Sequence, residues 1–310
     1  MMGSQRDYIG YGDHLPQIRW PDGKKVAVSI VVNYEEGSER SVDRGDSSDE
    51  TIGELGNFST MAPTGRNVTV ASFFEYGSRV GVWRLLKLFR KHQISATVFA
   101  CADALEQHPA VARAFVEEGH EICNHGYRWE DHYGFSPEEE RSRIRAAQDL
   151  LHRVTGARPV GIFINRGITE ATRQIIVDEG LLYDSNSYSE DVPYYVRVGE
   201  RDHLVLPYSA DTNDTRFWTS PGFISGEHYT SYLCDTLDVL LDEAETAARM
   251  MSIGLHARIA GRPARTRAVE RFIEYALSKP DVWFARRDEI ARWWLENVPA
   301  KAAAEPNRES

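Results

Sequence analysis

Apolar residues along this chain fall into short runs separated by longer amphipathic stretches. The runs at 26–32 (VAVSIVV), 96–102 (ATVFACA), 120–125 (HEICNH), 161–165 (GIFIN), 182–187 (LYDSNS), 203–209 (HLVLPYS), 250–256 (MMSIGLH) and 282–287 (VWFARR) read as strands. Several are apolar at successive rather than alternate positions, the pattern of parallel strands covered on both faces. Segments 80–92, 109–119, 136–156 and 265–280 have helical spacing. The helix predicted over 136–156 carries its own boundaries: Ser136 as N-cap, Pro137 in the first turn, Glu139 to complete a capping box and Gly156 as terminator. The repeated strand-then-helix order predicts the α/β class and a single (β/α) barrel, in preference to an open doubly wound sheet. One catalytic domain is expected over 1–310, with a polar Gly-, Ser- and Asp-rich loop at about 38–79 and a frayed tail at about 299–310.

Composition narrows the function. With 36 Lys and Arg against 47 Asp and Glu, the formal charge is −11, which argues against a general nucleic-acid or anionic-membrane binder. No segment approaches the roughly 20 apolar residues of a membrane span, and the N-terminus does not read as a signal peptide, so a soluble, cytoplasmic protein is expected. Cys101, Cys123 and Cys234 lack CxxC spacing, indicating neither a disulfide framework nor a thiolate zinc site; they read as small buried hydrophobes.

In a (β/α) barrel the chemistry sits at the carboxyl ends of the strands. Those ends supply Asn33, Tyr34, Glu35 and Glu36, then Asn124 and His125, Asn165 and Arg166, Asp184 and Ser185, Tyr208 and Asp211, and His256 and Arg258. Two adjacent glutamates closing an apolar strand are costly unless something solvates or uses them. Asp184 reads as a turn anchor, and Arg286 and Arg287 as part of an exposed helix entrance.

Together these residues resemble the polysaccharide deacetylase superfamily, which implies a distorted (β/α) barrel of that type. The superfamily's T-F-D-D-like motif, with a catalytic base followed by a metal-binding acid, corresponds to "NYEE", making Glu35 the base and Glu36 the metal-ligand position. Its two histidines four residues apart correspond to "HGYRW", where His125 matches the first and Trp129 stands in place of the second. An indole nitrogen has no lone pair free for a metal, so the usual site is broken. His132 is a substitute only at the wrong spacing.

The strings "VNYEEGSE", "FFEYGSRVGVWRLLKLF", "GHEICNHGYRWEDH", "LYDSNSYSEDVPYY", "HLVLPYSADTNDTRF" and "RMMSIGLHARIAGRPAR" resemble the allantoinase and cyclic imide hydrolase branch. That resemblance implies opening of a small cyclic amide by C–N hydrolysis, a homo-oligomer, typically a homotetramer, and little or no metal dependence. No cofactor is expected; were zinc present, Glu36 and His125 would hold it. The turn "FINRGITEATR" keeps an arginine, Arg166, but departs from the branch's G-R-T-S-like pattern, which keeps cyclic imides, hydantoins and dihydropyrimidines open as substrates, with a metal-dependent N-deacetylase of an amino sugar as the further alternative. The expected roles are proton handling by Glu35, Glu36, His125 and His256. Substrate binding falls to Tyr34, Trp129, Asn165, Arg166 and Arg258, with Trp129 as a ring-packing wall.

Overall fold

A computed structural model describes residues 7–53, 56–57, 65–165 and 167–300. Its strands are β1 (Val26–Tyr34), β2 (Ile52–Gly53), β3 (Gly56–Asn57), β4 (Thr97–Ala100), β5 (Glu121–Asn124), β6 (Gly161–Ile162), β7 (Tyr183–Asp184), β8 (Tyr194–Val198), β9 (Arg201–Val205), β10 (Arg249–His256) and β11 (Val282–Phe284). The helices are α1 (Val68–Tyr76), α2 (Val82–His92), α3 (Ala102–Gln107), α4 (Pro109–Glu117), α5 (Pro137–Thr155), α6 (Glu170–Asp178), α7 (Gly226–Glu243), α8 (Pro263–Leu277) and α9 (Arg287–Asn297). None of the described helices is long and apolar enough to cross a membrane.

All eight predicted strands are present, and with β8 they form one curved sheet in the order β10-β1-β4-β5-β6-β7-β9-β8, with β11 also paired to β1. The result is the (β/α) barrel anticipated from the strand–helix alternation, in the distorted form that the family resemblance implies. The pairings are parallel except for the β8–β9 hairpin, which the sequence pattern had not indicated. Residues 68–76, inside the stretch read as loop, form α1 instead. On α5, Ser136 Oγ accepts from the Glu139 N–H (3.3 Å), the Ser136 N–H donates to Glu139 (2.8 Å), and Gly156 closes the helix at φ 75°.

β1 is the axis of the sheet. It pairs along one edge with β10, from Val26↔Arg249 to Asn33↔His256. Along the other edge it meets β11 at residues 26–28 and β4 at 31–34, one above the other. All nine of its residues are buried, and they alternate between two apolar layers. Val28, Ile30, Val32 and Tyr34 face the helices, whereas Ala27 and Val31 face the barrel interior with Phe99, Phe163 and Tyr208. The register brings the ends of β1, β4, β5 and β10 to one rim.

Between β9 and β10 the barrel is closed by side chains. Thr212 Oγ1 donates to the Ser252 carbonyl (2.5 Å), and Ser252 Oγ to the Pro207 carbonyl (3.1 Å). Arg287 completes the seam. It donates to Ser185 Oγ (3.0 Å), Ser252 Oγ (2.8 Å) and the carbonyls of Leu206 (2.5 Å) and Pro207 (2.7 Å). This corrects the expectation of an exposed helix entrance: Arg287 is fully buried, because β11 wedges below β4 and aims the first residue of α9 inward. Arg286 stays half-exposed, donating to the Gly119 carbonyl and pairing with Asp288.

Replacing Arg287 removes the donor that serves two hydroxyls and two carbonyls in the interior, of which the Ser252 hydroxyl and the Pro207 carbonyl keep only each other. Arg287→Met is therefore expected to lower stability by about 3–5 kcal/mol in urea unfolding, against less than about 1 kcal/mol for Arg286→Met.

Candidate active site

Glu35 and Glu36 leave β1 at the rim just described, and both are buried. Three cationic or protonatable side chains surround Glu35. His125, at the end of β5, places Nε2 3.1 Å from Glu35 Oε1; His256, at the end of β10, places its Nε2 3.7 Å from the same oxygen; Arg258 Nη2 lies 2.7 Å from Oε2. His125 Nδ1 lies 2.7 Å from the Phe163 carbonyl, an acceptor only, so that nitrogen carries its hydrogen. Nε2 therefore faces a carboxylate oxygen at hydrogen-bonding distance.

His256 has a partner that sequence reasoning missed. Its Nδ1 lies 2.7 Å from Asp214 Oδ1, and its backbone N–H donates to Asp214 Oδ2 (2.7 Å), which also accepts from the Ala260 N–H (3.1 Å). Asp214 sits in a short 3-10 turn after a long coil, with no periodicity to single it out. The retrievable signal is Asn213 capping that turn by accepting from the Thr215 N–H. Burial opposes charge on His256, but Asp214 and Glu35 outweigh it and raise its pKa to about 9.

The two glutamates are driven apart. Burial would raise both, but Arg258, His256 and His125 hold the Glu35 carboxyl well below the usual range. Glu36 is raised, by burial and the Glu35 charge against the pull of Arg258. Glu36 Oε2 accepts from the Glu35 N–H (3.1 Å), and Oε1 from the Arg258 N–H (3.2 Å).

Arg258 is itself buried, with its guanidinium 4.5 Å from the ring of Phe74, 5.4 Å from Trp129 and 5.5 Å from Trp218. Phe74 belongs to α1, whose continuation at Gly77–Gly81 is a π-helical turn, a feature frequent at functional sites. A Cβ at Gly77 would fall 2.4–2.8 Å from the Glu36 carboxyl group, and one at Gly81 2.0 Å from the Ala257 carbonyl. Glycines in "EYGSRVG" thus let this segment close over Glu36 and the Arg258 turn.

Not every predicted residue joins this centre. Tyr34 does not: strand alternation turns it opposite to Asn33 and Glu35, into the helix layer, where its hydroxyl meets His108 Nδ1 (3.1 Å). Arg258 is committed to the glutamates rather than standing free. Trp129 lines the centre beside Phe74 and Arg258. Asn165 lies in the turn after β6 with its Nδ2 buried and without a hydrogen-bond partner, and Arg166 lies outside the described residues. Asp184 is the turn anchor it was read to be, bound by Arg173, His203 and the Asn186 N–H. His132 does not reach back, being paired with Glu140 at 3.1 Å. Cavities of about 650 and 950 Å³ lie beside β8–β10 and the N-terminal segment, and none of the centre's residues line them.

These residues do not fit a catalytic metal. His125 meets Glu35 rather than Glu36, both Glu36 oxygens are taken by backbone N–H groups, Trp129 offers no lone pair, and the Arg258 guanidinium places fixed positive charge against both carboxylates. Among the described residues, His92, Glu270 and Glu274 bring three ligand atoms together, on the outer helices, where Lys91 already pairs with Glu270 (2.6 Å).

Residues 62–181 match the polysaccharide deacetylase family model. A Schizosaccharomyces pombe protein assigned to the polysaccharide deacetylases is 37% identical, aligned over 97% of this chain and 100% of its own length. A crystal structure from Pseudomonas aeruginosa PAO1 with the same assignment is 47% identical, with a TM-score of 0.89 over 96% of this chain and 99% of that one. The crystal structure of PuuE allantoinase is 45% identical, with the same TM-score and coverage. By its identity to a relative over nearly the whole of both chains, and by its fold, the chain belongs to the polysaccharide deacetylase family.

Proposed function

We propose that this protein hydrolyses a C–N bond in a small cyclic amide, with allantoin as the first substrate to test. The observation that carries the reading is the Glu35 carboxylate held by His125, His256 and Arg258 in a buried centre whose donors suit proton transfer rather than metal binding. The similarity to PuuE allantoinase over nearly the whole chain supports it.

Amide hydrolysis needs a proton acceptor for water, stabilisation of the oxyanion and an acid for the leaving nitrogen. The Glu35–His125 pair accepts the proton of the attacking water. The Arg258 guanidinium faces the developing oxyanion with Nε and Nη1, two buried N–H groups that lack hydrogen-bond partners. His256, kept protonated by Asp214, delivers a proton to the departing ring nitrogen. Glu36 holds the Arg258 turn in place and keeps its own proton more readily than its neighbour.

The decisive assay is allantoin hydrolysis after treatment with a chelator, followed by allantoate formation. Turnover that survives chelation is expected. Activity recovered only on adding zinc would replace this reading with a metal-dependent deacetylase, and inactivity in both states would move the substrate to a cyclic imide, hydantoin or dihydropyrimidine.

Glu35→Gln and His256→Ala are each expected to reduce kcat at least about a hundredfold while the fold is retained by circular dichroism; near-normal rates in both would remove these residues from the mechanism.

The pH profile follows from the sign of the His256 shift. An acid with a raised pKa is lost only as pH climbs through about 9, so the alkaline limb of kcat is expected there. Asp214→Asn removes the charge that sustains it and is expected to move that limb toward neutrality. A limb that stays in place would exclude His256 as the acid.

A further inference from the structure

The turn that anchors His256 continues directly into Trp218. Asp214–Phe217 form its 3-10 core, fixed at one end by the Asp214 bonds to His256 and Ala260 and by the Asn213 cap. The Trp218 N–H closes the turn on the Thr215 carbonyl (2.9 Å). Beyond it the chain is tied back, with the Phe223 N–H on the Arg216 carbonyl (3.0 Å) and Arg216 Nη2 on the Pro221 carbonyl (2.7 Å). Trp218 is thus held from both sides by the segment that sets His256.

Its ring lies 5.5 Å from the Arg258 guanidinium, at the half-buried edge of the centre. The indole Nε1–H is shielded from water and has no hydrogen-bond acceptor. Arg258 Nε and Nη1 are in the same condition, with Nη1 reaching only the ion-pair distance of 3.6 Å to Glu36. A buried, unfilled donor is costly, so three gathered at the Arg258 guanidinium point to a missing acceptor. An indole N–H donates and cannot accept, which selects a carbonyl oxygen over a ring N–H.

Building on the cyclic-amide reading above, we propose that Trp218 is a substrate-binding residue whose indole N–H donates to a ring carbonyl, leaving Arg258 for the carbonyl under attack. The class of ring it favours carries two carbonyls separated by nitrogen, as in hydantoins and cyclic imides. Its flat face packs against Trp129 while its two oxygens meet separate donors, the Trp218 N–H in its own plane and Arg258. Trp218 thereby acts on which ring binds and in which orientation, rather than on the bond-breaking step.

Trp218→Phe tests this by keeping an aromatic ring and deleting the N–H. With allantoin, KM is expected to rise about tenfold with kcat within about twofold and an unchanged melting temperature. Where the wild type turns allantoin over, an unchanged KM in Trp218→Phe would overturn the proposal.

A second measurement does not depend on turnover. The Trp218 indole ¹H–¹⁵N resonance, identified by its loss in Trp218→Phe, is expected to shift downfield on titration with hydantoin. A resonance that does not respond at saturating hydantoin overturns the proposal even if the wild type proves inactive. A shift in an inactive wild type sustains it and places the failure in the reaction assigned above.

Discussion

A guanidinium buried against two carboxylates is the constraint around which this molecule is arranged. Arg258 cannot shed its proton in a protein, so its charge must be answered wherever it sits. Glu35 answers it at 2.7 Å and Glu36 at 3.6 Å, while Phe74, Trp129 and Trp218 present ring faces around it. Buried ion pairs of this kind contribute little net stability, because desolvation offsets most of the attraction. What the arrangement does provide is a pair of neighbouring acids with opposite tendencies, one kept ionised and one inclined to hold its proton. A lysine would supply the charge but not the flat, forked group that touches rings and carboxylates together.

Arg287 shows the opposite solution to the same problem. It is as deeply buried as Arg258, yet its four side-chain hydrogen bonds go to neutral oxygens on β10 and on the chain following β7 and β9. Burial pulls its pKa below the ordinary arginine value. One arginine spans the barrel where the backbone ladder is interrupted, and the other holds reactive groups at its mouth. The two share a residue type and a degree of burial, and they differ in what surrounds them.

That distinction explains how much could be read from the chain. Parallel strands announce themselves by continuous apolar runs, and all eight were legible; the capping residues of α5 marked its ends to within a residue. The rim residues Glu35, His125 and His256 followed from the rule that barrel chemistry sits at strand ends. Tyr34 failed because that rule places a residue at the rim without specifying its face, and period-2 alternation turned it outward. Arg287 failed because the inward wedge of β11 is a property of pairing, invisible in local pattern. α7 was missed although Tyr229, Leu233, Leu237 and Leu240 keep helical spacing, since Ser, Thr and Asp between them dilute the signal. Asp214 and Trp218 lie in irregular chain, where neither period applies.

The position of β1 also bears on the order in which the protein is made. Glu35 and Glu36 leave the ribosome early, but Arg258 follows 222 residues after Glu36, and β10 and β11, which flank β1, are nearly the last strands synthesised. Until then the two glutamates have no arginine to meet, and the most apolar strand of the chain has only β4, at residues 31–34, as a permanent neighbour. Assembly of the centre is therefore a late, long-range event, the slow kind of closure that exposes apolar strands in the meantime. The residues best suited to chemistry at the end are those the nascent chain must hold in water longest.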